Sequence, residues 1–303
     1  MKALLPKVEI VQPYLNDYPK KCKFANNNPV VIMMNILKDL IIVLKICKGR
    51  GKKMFYYAKK SKYFITIEKQ IASFRSEDFF IKNKEEHWLE RNEDKLSFFI
   101  NLLNFLTLYG LCKRNITTPP RTQFEWTNFL KSISIKVAGS TFTAFEIKYT
   151  ILRAAMPDHK MPNPYLDVIL FCSKYMESNL KAPFAYDKKE AYISFAMYLP
   201  VMSSTPLRIY KPETAAQQMK DNAIKYLQKT IKVIKNNVLV LPECLEWYRD
   251  DFLRGSDQND LILFVANCLS KTSSELTTFF RTNVVKEIQY EKFDWGFKYE
   301  YVE

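Results

Sequence analysis

The chain has 303 residues, 48% of them apolar and only six of them glycine, which supports a packed core and excludes a disordered or low-complexity polymer. Its net charge of +14 is lopsided: residues 1–60 hold 13 Lys/Arg against 3 Asp/Glu, and residues 61–303 hold 33 against 29. Six cysteines are scattered singly, two histidines (His87 and His159) sit in charged, loop-like contexts, and no secretory leader is visible. These features argue against a disulfide scaffold and against a His/Cys zinc site, and they favour reduced thiols in a cytoplasmic setting.

In chain order, Met1–Asn28 carries Pro6, Pro13 and Pro19 and reads as an extended basic arm. Pro29–Cys47 is apolar enough to resemble a membrane span. Lys38 and Asp39 would then lie near mid-bilayer, at about 2.5–3.5 kcal/mol each, so a core-facing amphipathic helix is expected instead. Its inward stripe is expected to be Val31, Met34, Leu37, Ile41, Leu44 and Cys47. Lys45 to Lys62 follows with eight basic residues and no acidic one: Lys45, Lys48, Arg50, Lys52, Lys53, Lys59, Lys60 and Lys62. Phe55, Tyr56, Tyr57 and Tyr63 interleave with them. The plainest expectation is a helix with its aromatics on the core and its lysines in water. The sharper alternative is a nucleic-acid surface.

Glu85–Lys95 is charged and predicted to be surface. Leu96–Leu111 is apolar almost all round and predicts the central helix, with Asn101 and Asn104 on one face and bonded to backbone or to each other. Ile133–Phe142 predicts a hairpin turning at Gly139-Ser140. Thr143 and Glu146 fit a capping box for a helix with Ile147, Ile151 and Leu152 inward. A further helix is expected over 165–180. Tyr192–Leu199, apolar but for Ser194, predicts a strand buried on both faces, which empties at Pro200 into the polar loop Ser203-Ser204-Thr205-Pro206. Beyond it come a long helix from Pro212, a short strand over Val238–Leu241, helices over Pro242–Leu253, Asp260–Leu269 and Ser274–Phe280, and a closing strand or packed tail over Ile288–Trp295. The expected class is α+β: a mainly helical single domain around a small sheet, with 1–29 as the arm, 30–95 as a helical N-terminal part and 96–303 as the body.

The order of motifs resembles the domain-of-unknown-function 547 family. The matching blocks are FFINLLN (Phe98–Asn104), FTAFEIKYTILR (Phe142–Arg153), SFAMYLPVMSSTP (Ser194–Pro206), RIYKPE (Arg208–Glu213), LPECLEWYRDDF (Leu241–Phe252) and FDW (Phe293–Trp295). The departures carry more information than the matches. Where that family has a histidine after its first block, this chain has Tyr109; where it has an E-H pair, Lys148-Tyr149. Its strand histidine is Ser194, its cysteine and glycine are Leu199 and Pro200, and its later cysteine is Ser204. Polar positions outside that chemistry persist, at Asn101, Asn104, Arg153, Arg208, Tyr210, Trp247, Asp251 and Asp294. The resemblance therefore implies a kept fold that has lost a nucleophile–base pair.

The expected function is a catalytically inactive domain serving as a structural or interaction subunit of a larger assembly, with no catalytic, cofactor-binding or metal residue. The eight cations of 45–62 are the expected partner-binding face, toward an acidic protein surface or polymer such as tubulin, in a cytoskeletal or ciliary setting and without transmembrane insertion. One alternative is a hydrolase or transferase built on Ser203 or Ser204. It would need a nearby base, for which His159 is the only histidine near in sequence, or a pairing among Glu213, Asp250 and Asp251. The other alternative is a nucleic-acid-binding subunit, for which no accompanying motif is present.

Overall fold

The structure, a computed structural model, describes residues 14–18, 28–76, 79, 84–137, 139–156, 182–234, 237–252, 258–270, 275–282 and 284–298. The predicted helix over 165–180, His159, Cys22 and Cys172 lie outside these residues, as does the arm apart from residues 14–18 and Asn28.

Helix α1 (Pro29–Cys47) starts where the sequence says it should. Pro29 stands at its first position and the Asn28 side chain accepts from the Val30 N–H at 2.8 Å. Its buried side is wider than the predicted stripe and is centred on Met33, Leu37, Leu40 and Leu44, whereas Val31 is half-exposed. After Lys48–Lys53, where Gly51 adopts φ +52°, come α2 (Met54–Lys60) and α3 (Lys62–Ser73). α1 and α2 pack against α4 (Asn92–Lys113), α3 reaches it by stacking Phe64 on Tyr109 at 5.2 Å, and α4 is buried on every side along 96–112. It is the one helix among the described residues long and apolar enough to cross a bilayer, and 94% of its apolar window is buried within the fold. At Gly110 a Cβ would meet the Ile133 side chain at 3.0 Å and the Phe129 ring at 3.2 Å, so glycine suits the close approach of α4 to α5 (Gln123–Ser132) and the chain leaving it.

The predicted hairpin is β1 (Ser134–Val137) antiparallel to β2 (Ser140–Thr143), and Gly139 supplies φ +81° at its turn. Residues 14–18 add to its edge: Leu15 N–H donates to the Ser134 carbonyl, and Asn16 exchanges side-chain bonds with Lys136 N–H and O. The capping box forms, with Thr143 N–H to Glu146 at 2.7 Å and Glu146 N–H to Thr143 Oγ1 at 3.0 Å. It starts α6 (Ala144–Glu146), which loosens into a π-helical turn, Ile147–Ile151. Helix α7 (Ala215–Thr230) leads to a second sheet of order β3-β4-β5, formed by Lys232–Ile234, Val238–Pro242 and Glu287–Glu291. The β3–β4 pair is antiparallel and the β4–β5 pair parallel. The crossover between β4 and β5 carries α8 (Cys244–Trp247), α9 (Arg249–Phe252), α10 (Gln258–Leu269) and α11 (Glu275–Thr282). The class is mainly helical α+β with two small sheets.

One prediction fails. Tyr192–Leu199 is not a strand: it is irregular, with a single 3-10 turn at Ile193–Phe195. The reason is a different source of hydrogen bonds. Asn104 Nδ2 donates to the Ala196 carbonyl at 3.0 Å while its Oδ1 accepts from Tyr198 N–H at 2.9 Å. Asn101 does the same to Tyr210, at 2.8 and 2.9 Å, and Ser97 adds a bond to the Tyr210 carbonyl. From the other side Asn222 donates to the carbonyls of Phe195 and Pro206. Buried backbone groups need partners, and here helix side chains supply what a neighbouring strand would otherwise supply.

Candidate site: an aromatic-lined cavity and an exposed basic face

The segment 194–205 meets the residue just past the π-helical turn, and α9, through Ser194 and Phe195. Arg153, just past that turn, forms a two-pronged pair with Asp251 of α9, at 2.6 and 2.8 Å. Their side chains are only 3% and 1% exposed. Ser194 closes the group: its Oγ accepts from Arg153 at 2.9 Å and donates to Asp251 at 3.3 Å. The Arg153 guanidinium also lies 4.7 Å from the centre of the Tyr248 ring. Burial pushes the Asp251 carboxyl up, and the bonds from Arg153 and Ser194 offset only part of that. Burial pulls the guanidinium down, and Asp251 more than restores it. Both Asp251 oxygens are taken up by Arg153.

Beside this pair lies a cavity of about 60 Å³, lined by Lys148, Ser203, Ser204, Cys244, Trp247 and Trp295 among others. Trp247 and Trp295 stack at 5.8 Å and Phe293 packs 4.5 Å from Trp295, so its wall is chiefly aromatic. The tail that carries Trp295 is strapped to the polar loop by Ser203 N–H to Asp294 O and Met202 N–H to Gly296 O. Lys148 is hydrogen-bonded to the hydroxyls of Tyr149 and Tyr248. Burial pulls its ammonium down, and the two tyrosines outweigh that, leaving it raised.

The two serines are engaged as acceptors. Ser204 Oγ takes the Leu199 N–H at 3.0 Å and Ser203 Oγ takes the Asp294 N–H at 2.8 Å. His87, the other histidine, is exposed and bonded to Glu90. Sequence reasoning missed Cys244, a cysteine away from the positions the resemblance marks. It reaches the cavity wall 3.5 Å from the Tyr226 hydroxyl, and burial pushes its thiol up to about 11. It also missed Lys148 as a cavity residue. The available signal was its place one residue into the E-H counterpart. Among the described residues no group of three or more His, Cys, Asp or Glu stands ready to hold a metal.

The predicted partner face is laid out differently. Lys45, Lys48, Arg50, Lys52, Lys53, Lys60 and Lys62 are exposed. Lys59 leaves the set: it is half-buried, and its ammonium donates to the Lys113 carbonyl at 2.8 Å, satisfying the C-terminal end of α4. The expectation that the aromatics face the core also needs correction. Phe55 does, but Tyr56, Tyr57 and Tyr63 are 45%, 39% and 54% exposed. Each ring carries a cation: Arg50 lies over Tyr57 at 4.8 Å, Lys60 over Tyr56 at 5.8 Å and Lys62 over Tyr63 at 5.3 Å.

A family model described as "Protein of unknown function, DUF547" matches residues 88–227. The match holds Lys148, Arg153, Ser194 and both serines, and it ends before Asp251, Cys244 and the two tryptophans of the cavity. No curated protein and no solved structure matches the chain.

Proposed function

Residues 88–227 belong to the DUF547 family, and from what this chain carries at that family's reactive positions we propose that it is a non-catalytic member working as an interaction subunit. The observation that carries the reading is the contrast in commitment of polar groups. Ser194, at the position of the strand histidine, is locked between Arg153 and Asp251, while seven cations of 45–62 face outward with no acidic residue in the segment. A face of that sign attracts acidic polymers over about one Debye length, roughly 8 Å at physiological salt. The partner this favours is an acidic protein surface, with the microtubule as the first polymer to test.

A second reading has its own support. Three exposed tyrosines flanked by cations are the parts of a platform on which unpaired bases stack, so single-stranded RNA is the competing partner. The test uses the full chain and the quadruple variant K48E/R50E/K52E/K53E. Both are measured by co-sedimentation with microtubules and by gel shift with single-stranded RNA, each at low and high salt. The proposal expects salt-sensitive sedimentation that the variant loses. An RNA shift in the absence of sedimentation moves the second reading ahead. Sedimentation unchanged in the variant removes the basic face from the account.

A further inference from the structure

The cavity beside the Arg153–Asp251 pair has an unbalanced polar inventory. Arg153 and Asp251 neutralise each other, which leaves Lys148 as a surplus positive charge at the wall. No carboxylate is among the lining residues. The remaining polar groups point the same way. Ser203 and Ser204 each use the hydroxyl oxygen to accept a backbone N–H, and their own hydroxyl protons have no acceptor among the described residues. Lys148, whose bonds to Tyr149 and Tyr248 leave one ammonium N–H over, and the two serines therefore line one space with Trp247, Phe252, Phe293 and Trp295. Donor capacity left over beside a positive charge, with no carboxylate on the lining, favours an anion.

From this juxtaposition we propose that the cavity is a binding site for a small monocarboxylate, its oxygens on Lys148 and the serine hydroxyls and its short apolar tail against the two tryptophans. A volume of about 60 Å³ suits a short aliphatic acid and not a nucleotide or a flavin. The carboxylate, being an acceptor only, matches the donor set, and charge-assisted bonds are the strong ones. The site does not depend on the basic face, so the chain can fail the docking test and still bind the acid.

The experiment titrates the full chain with the series acetate to hexanoate by calorimetry, followed in parallel by tryptophan fluorescence, because Trp247 and Trp295 stand at the wall. The matching primary amides serve as neutral ligands of the same shape. One acid in the series is expected to saturate the protein, its amide to bind about tenfold or more weakly, and Lys148→Met to lose about the same factor, as removal of a charge-assisted bond implies. Trp295→Leu is expected to shift the preferred chain length upward. The comparison of acid with amide is made on the unaltered chain, so it holds even where Lys148→Met fails to fold. Absence of saturation by every acid, or equal binding of acid and amide, overturns the proposal. So does a folded Lys148→Met that binds as the unaltered chain does.

Discussion

The two places where this chain gathers charge treat it in opposite ways. Inside, Arg153 is matched oxygen for nitrogen by Asp251, and Ser194 takes up what is left. Outside, Arg50, Lys60 and Lys62 rest on tyrosine rings and meet no carboxylate within their own segment. The difference is one of dielectric. A buried charge must be paired where it stands, at a cost in desolvation that the pairing only offsets. An exposed one keeps its hydration and stays available to a partner. Breaking the first should therefore damage the fold, and reversing the second should damage only binding.

The largest effect is expected at the buried pair. Arg153→Ala leaves Asp251 alone in the core and should lower stability by about 3–5 kcal/mol, and Asp251→Ala should do the same to Arg153. Replacing both together, as Arg153→Met with Asp251→Leu, should recover most of that loss. Denaturant unfolding of the three variants measures it. A double variant as unstable as the singles would mean that the pair does more than neutralise itself, for instance by fixing the approach of α9 to the π-helical turn.

Cysteine labelling sharpens the same comparison at the level of a single atom. Burial holds the Cys244 thiol at about 11, against an ordinary 9.0. The reacting species is the thiolate, so at pH 8 it should be alkylated roughly 100-fold more slowly than an unperturbed thiol. Cys47 also has a raised thiol, but Arg50 at the basic face pulls against its burial. Site-resolved mass spectrometry after iodoacetamide should find Cys244 behind an unperturbed thiol, and labelling at the free-thiol rate would show that its wall of the cavity opens in solution.

The amides of α4 come next. Asn104→Ala strands the Tyr198 N–H and the Ala196 carbonyl, and Asn101→Ala strands the Tyr210 N–H while Ser97 still holds the Tyr210 carbonyl; each should cost about 1–3 kcal/mol. Thermal melts of each single variant check this. These two residues also mark the limit of what the sequence disclosed. Their burial, their shared face and their need for backbone partners were legible, because an apolar helix forces polar side chains to find bonds. The identity of those partners was not. Tyr192–Leu199 has the composition of a buried strand, and it is Asn104 and Asn222, brought to it by the fold, that bond its backbone in place of a ladder. The hairpin, the capping box and the central helix were readable because each rests on contacts close in sequence. Lys148 beside Tyr248, and Cys244 beside Tyr226, join parts of the chain far apart or separated by a turn and a strand, and no spacing rule reports such meetings.

The smallest effect on stability, and the largest on binding, is expected at the basic face. Lys48, Arg50, Lys52 and Lys53 are exposed, and the segment Lys48–Lys53 buries no residue. Their reversal to glutamate should leave the melting temperature within the range of ordinary surface changes, about 0.5 kcal/mol for each substitution. Relief of repulsion among eight neighbouring cations works in the stabilising direction. That gain is screened, because all of the replaced groups are in water. Lys59 is the internal control. Its ammonium closes the C-terminal end of α4, so Lys59→Glu should destabilise by more than any of the four while removing the same charge from the segment. Melting curves of Lys59→Glu beside Lys53→Glu separate the two roles. Equal and negligible losses would mean that the bond to Lys113 contributes nothing and would return Lys59 to the exposed face; a larger loss at Lys59 alone would confine the partner surface to the seven outward cations.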